Sequence, residues 1–120
     1  MKTSKKNLRT PDYLRHILDA IQQIEAYTSS MDYPAFQESR LILDAVVRNI
    51  EIIGEAARNI SENDPAFTEQ HANIPWEAMY AMRNRLAHGY FAVDARTVWQ
   101  TIQDDLPELK GQISGVMKAD

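Results

Sequence analysis

Arg83, Arg85, His88 and Tyr90 fall within eight residues, and Asn84 and Gly89 lie among them. Together they could perform chemistry on a phosphodiester. Cleaving RNA requires a 2′-hydroxyl to lose its proton, a departing 5′-oxygen to gain one, and the charge growing on phosphorus to be neutralised. An imidazole titrates near neutral pH and can move the proton. A guanidinium stays charged and offers a fork of N–H donors that matches phosphate oxygens. Such a set needs no metal ion.

Spacing limits how these groups can meet. Arg83 and His88 are five residues apart, so on a straight helix they point roughly 140° from one another. Either the helix loosens near Ala87 and His88, which Gly89 would tolerate, or two chains meet so that both copies line one cleft. One histidine makes one proton transfer at a time, and a symmetric dimer would supply a second. A plainer reading stands beside these. His88 could rest on the last carbonyls of a helix, Arg83 and Arg85 could be solvated charges, and Tyr90 and Phe91 could seal a loop.

The elements that must hold this stretch read as helices. Thr10-Pro11-Asp12 resembles a cap, a proline at the first helical position and an acid in the first turn. From there Tyr13, Leu14, Ile17, Leu18, Ile21 and Ile24 recur at helical spacing to about Tyr27. A second helix is expected from about Pro34 to Ile60, with Leu43, Val46, Val47, Ile50, Ile53 and Ala57 on one stripe. Ile42, Ala45, Ile52 and Ala56 form another beside it. So broad an apolar surface suits a central helix or one that also meets a partner chain. Gly54, in its middle, suits close helix approach. Residues 66–73 read as a polar, irregular connection with at most one short turn.

A third helix starts near Asn73-Ile74-Pro75, buries Trp76, Met79, Met82 and Leu86, and has Gly89 as its left-handed stop. Asp94 caps a fourth, with Val98, Trp99, Ile102 and Leu106 inward and Pro107 disturbing its end. Residues 108–117 form a short terminal helix that Gly111 and Gly115 weaken. The expectation is an all-α, antiparallel up-and-down four-helix bundle with a short extra C-terminal helix. It is divided as a disordered basic tail (1–9), the bundle (10–110) and a C-terminal tail (111–120).

Composition excludes several functions. With 120 residues, 44% hydrophobic and 25% charged, the chain fits one globular domain. It contains no cysteine, which removes disulfides and thiolate zinc sites and fits a cytoplasmic protein. No apolar run approaches a membrane span, and the basic N-terminus lacks the apolar stretch of a secretory signal. A net charge of −4 argues against broad coating of nucleic acid but leaves room for a local basic site. Arg85 and Arg96 are the candidate RNA contacts beside Arg83. His16 and His71 lack a partner at helical metal spacing, so no metal site and no cofactor are expected. Asp44, Glu51 and Glu55 read as solvated charges of the second helix.

Arg83-Asn84-Arg85-Leu86-Ala87-His88-Gly89-Tyr90 resembles the Arg-x4-His-x-Tyr motif of the HepT-like branch of the HEPN superfamily. Flanking sequence is similar too: residues 13–21, residues 47–57, Ile74-Pro75-Trp76, and Val98-Trp99 through Leu106-Pro107. The resemblance covers roughly residues 11–110. It implies a HEPN-like bundle that forms a symmetric homodimer, with two motifs in a common cleft. The activity implied is that of a metal-independent endoribonuclease toxin of a type VII toxin–antitoxin system. Its partner would be a minimal nucleotidyltransferase antitoxin, with which the dimer could build a larger complex. On these positions Arg83 and His88 are the catalytic pair and Asn84 and Gly89 shape the motif. Tyr90 is the tyrosine the antitoxin would convert to O-AMP-tyrosine. The alternative is a non-catalytic HEPN module that binds a nucleotidyltransferase or nucleotide.

Overall fold

The computed structural model describes residues 8–86 and 94–119, the side chains of residues 83, 85, 86 and 119 excepted. These residues form helices and turns, with no strand among them. The order is α1 (Thr10–Thr28), α2 (Tyr33–Glu38), α3 (Arg40–Asn63), α4 (Pro65–Gln70), α5 (Trp76–Leu86), α6 (Ala95–Gln100), a π turn (Thr101–Asp105) and α7 (Leu106–Ala119). The all-α bundle is as expected. The basic tail lies, up to residue 7, outside the described residues.

The two long helices make the scaffold. Leu14, Ile17, Ile21 and Ile24 of α1 and Val46, Ile50, Ile53 and Ile60 of α3 are all buried, most of them completely. Each such side chain contributes about 1.5–3 kcal/mol relative to exposure. Helix α3 packs chiefly on α1 and α5 and also touches α2 and α4, which makes it the central helix. Gly54 is buried within it. Its second stripe is only half covered at Ile42, Ala45 and Ile52, and Leu41 is 79% exposed.

Helix boundaries depart from expectation where side chains take over backbone hydrogen bonds. Arg9, not Thr10, is the cap of α1, and its N–H donates to the Asp12 carboxylate at 2.9 Å. The Thr10 hydroxyl donates instead to Asp64 at 2.6 Å, tying the start of α1 to the end of α3. Pro34 does not open the long helix. It lies in the first turn of α2, and Ser39 (φ −101°, ψ 93°) separates the two while its hydroxyl accepts from the Ile42 N–H. Phe36, fully buried against Trp99 at 5.1 Å, anchors α2.

The connection after Asp64 is also more ordered than its polarity suggests, since residues 65–70 form α4. Phe67 lies against both His71 (4.5 Å) and Trp76 (6.0 Å), and the Trp76 indole N–H donates to the His71 carbonyl at 3.0 Å.

Near Pro107 the last helix widens rather than stops. The Leu106 N–H reaches back to the Thr101 carbonyl, a π-type bond, and Pro107 then occupies the second position of α7. The ring's missing N–H is tolerated there. Helix α7 runs on to Ala119 with Leu109, Ile113 and Val116 buried. The bundle therefore includes most of what was set apart as a C-terminal tail. No atom within 4 Å would obstruct a β-carbon at Gly111 or Gly115. These glycines lower helix propensity without breaking the element, because its apolar side stays buried.

Candidate functional site

Helix α5 carries the first half of the motif. Trp76, Met79 and Met82 are buried, a spacing that turns Glu77, Ala81 and Asn84 to solvent. Arg83 and Arg85 lie in the last two turns of this helix. His88, Gly89, Tyr90 and Phe91 lie outside the described residues, so the expected pairing of Arg83 with His88 has no geometry here. Core placement of Leu86 lies outside the described side chains as well.

Beside the motif, Tyr80 sits one turn before Arg83. The Arg58 guanidinium of α3 lies 5.2 Å from its ring centroid. Arg58 also pairs with Glu62 at 3.0 Å, and that hydrogen bond, followed by the charge interaction with Tyr80, holds its pKa above the ordinary value. Neither residue stands out in the sequence. Only the packing of α3 on α5 brings them together.

Beyond the motif, Asp94 caps α6 as expected. Its carboxylate accepts from the Arg96 N–H at 3.1 Å and from the Thr97 hydroxyl at 2.8 Å. The Thr97 hydroxyl is the main reason the Asp94 pKa falls below its ordinary value. Desolvation opposes the shift, and the backbone donors of Arg96 and Thr97 add to it. Arg96 is exposed, with its guanidinium 4.3 Å from the centroid of the Tyr33 ring.

Two clefts lie near these elements. One of about 400 Å³ separates α5 from the π turn and α7. It has a floor of Met79, Met82, Leu106 and Leu109 and a rim bearing Asp105 and Glu108. That acidic rim is unsuited to phosphate. A second, between α1 and α3, sets Arg48 and His16 against Glu51 and Glu55. His16 is exposed and meets Tyr13 edge-on at 5.9 Å. Among the described residues no group of three His, Asp or Glu side chains could hold a metal ion, and no helix is long and apolar enough to cross a membrane.

The sequence of the ribonuclease HepT-like family matches residues 17–116, which span the core helices and the whole Arg83–Tyr90 motif. The chain belongs to that family. It is thus an enzyme of the ribonuclease class. It is similar to a protein named "Probable ribonuclease HepT" from Thermococcus cleftensis, at 42% identity over 98% of this chain and 100% of that one. A relative from Caldanaerobacter subterraneus subsp. tengcongensis, provisionally named an RNase, is 34% identical over 92% of this chain and 97% of its own length. A third, from Methanocaldococcus jannaschii, is named both a gamma-glutamylcyclotransferase and, provisionally, an RNase. It is 41% identical over 88% of this chain, and the match spans 46% of its length. No solved structure matches the chain. In this member of the HepT-like family, the Arg83–Tyr90 stretch begins at the end of α5.

Proposed function

We propose that this HepT-like chain is a metal-independent endoribonuclease, the toxin of a type VII toxin–antitoxin pair. The observation that carries the reading is the near full-length family match enclosing an intact Arg83-x4-His88-x-Tyr90 motif. Arg83 binds the scissile phosphate and stabilises its growing negative charge. His88 moves the proton. The 2′-oxygen attacks phosphorus as its proton leaves, the bond to the 5′-oxygen breaks, and that oxygen is protonated. The products are a 2′,3′-cyclic phosphate and a free 5′-hydroxyl.

Two chains complete the site. Five-residue spacing keeps Arg83 and His88 apart on one straight helix, and a two-fold cleft supplies one histidine as base and the other as acid. The half-covered apolar stripe of α3 supports pairing of chains. A minimal nucleotidyltransferase, the antitoxin, transfers AMP to the Tyr90 hydroxyl. The added phosphate then occupies the positive site and repels RNA.

The test is incubation of the purified protein with RNA in EDTA beside Arg83→Ala and His88→Ala. Wild type cleaves and both variants do not; equal cleavage by all three, or none by wild type, contradicts the assignment. Control at Tyr90 predicts a mass increase of one or more AMP groups after incubation with the nucleotidyltransferase and ATP. An unchanged mass, or an adduct that persists in Tyr90→Phe, removes that role.

A further inference from the structure

The two arginine–tyrosine pairs differ in what neutralises them. Arg58 lies near Tyr80, but its Nε–H is taken by Glu62 at 3.0 Å. Arg96 lies near Tyr33, and among the described residues no carboxylate comes within ion-pair distance of its guanidinium. The nearby Asp94 carboxylate is engaged by the Arg96 backbone N–H and the Thr97 hydroxyl.

The Tyr33 ring is held in place. It opens α2, where the Asp32 carboxylate accepts from the Ala35 N–H at 3.0 Å, and it meets Trp99 at 6.1 Å. Trp99 in turn lies on the fully buried Phe36. A guanidinium resting on an aromatic face keeps its N–H donors directed outward, so stacking fixes its position without using its phosphate-binding edge. Contact with the ring restricts the side chain, so less freedom is lost when a phosphate binds. Arg96 is six residues beyond Tyr90, a span of at most about 20 Å of extended chain. That is within a few nucleotides of the motif.

We propose that Arg96, seated on Tyr33, is a second contact for the RNA backbone, holding a phosphate a few nucleotides from the one that is cut. This rests on the ribonuclease reading. Arg96 is a binding residue, and Tyr33 is a positioning residue acting through it.

The experiment measures binding of a short fluorescent single-stranded RNA to His88→Ala protein across a salt series. The same protein is compared after Arg96→Gln, Tyr33→Leu, Tyr33→Phe or Arg58→Gln, with thermal midpoints confirming folding. Arg96→Gln is expected to weaken binding roughly five- to tenfold and to reduce the slope of log affinity against log salt by about 0.7. Tyr33→Leu weakens binding less and keeps the slope, while Tyr33→Phe and Arg58→Gln match the parent. In otherwise wild-type protein, Arg96→Gln raises KM and leaves kcat unchanged. Unaltered affinity and slope in a folded Arg96→Gln variant, while wild type still cleaves RNA, overturn this inference alone. Failure of wild type to cleave and of the His88→Ala protein to bind would overturn the ribonuclease reading as well.

Discussion

Helices α1 and α3 meet through isoleucine, leucine, valine and alanine, whereas the junction of α5 with α6 carries arginines, an asparagine, a histidine, a tyrosine and an acidic cap. Side chains at the first interface are almost all buried; those described at the second are mostly exposed. Under the proposed function, the same short bundle keeps stability and chemistry in separate places. Substitutions should separate in the same way, those in the scaffold changing folding and those at the junction changing reaction with RNA.

The largest expected effect is at the junction. Arg83→Ala and His88→Ala should each lower single-turnover RNA cleavage at least about a hundredfold, while the thermal midpoint stays near wild type. Loss of activity accompanied by unfolding would blur the division. In the scaffold, Ile50 is fully buried. Ile50→Ala should cost about 2–5 kcal/mol in denaturant unfolding and leave cleavage per folded molecule unchanged.

A smaller effect is expected where the two regions join. Replacing the α6 cap, Asp94→Ala, should lower the thermal midpoint by less than Ile50→Ala does. Because the Asp94 pKa is lowered in the folded protein, its contribution is fully present above the ordinary carboxylate pKa of about 4. It disappears as pH falls through the folded value. Asp94→Asn keeps a capping oxygen, and its thermal midpoint should show less acid dependence than wild type. Identical pH profiles would remove that link.

Sequence periodicity located the helices that bury a full stripe, since Leu14 through Ile24 and Val46 through Ile60 repeat at helical spacing. It did not locate α4 or the break at Ser39. Both depend on contacts distant in sequence or on local side-chain bonds: Phe67 against Trp76, Phe36 against Trp99, and the Ser39 hydroxyl on Ile42. Pro107 suggested a stop, but the π turn at Thr101–Asp105 and the buried side of α7 carry the helix onward. For the site, the resemblance to the Arg-x4-His-x-Tyr motif singles out Arg83, His88 and Tyr90 as the proposed groups, and their spacing argues against a single straight helix as the frame. Spacing could not find Tyr33 or Tyr80, whose arginine partners lie on other helices and meet them only through packing.

The proposed shared cleft is tested most directly by a mixed dimer. Arg83→Ala and His88→Ala chains, carrying different affinity tags, are co-expressed, purified in tandem and assayed for RNA cleavage in EDTA. Each variant alone is expected to be inactive, and the mixed dimer to recover part of wild-type cleavage, because one chain brings the arginine and the other the histidine. A stable mixed dimer no more active than either parent would contradict a site completed across two chains.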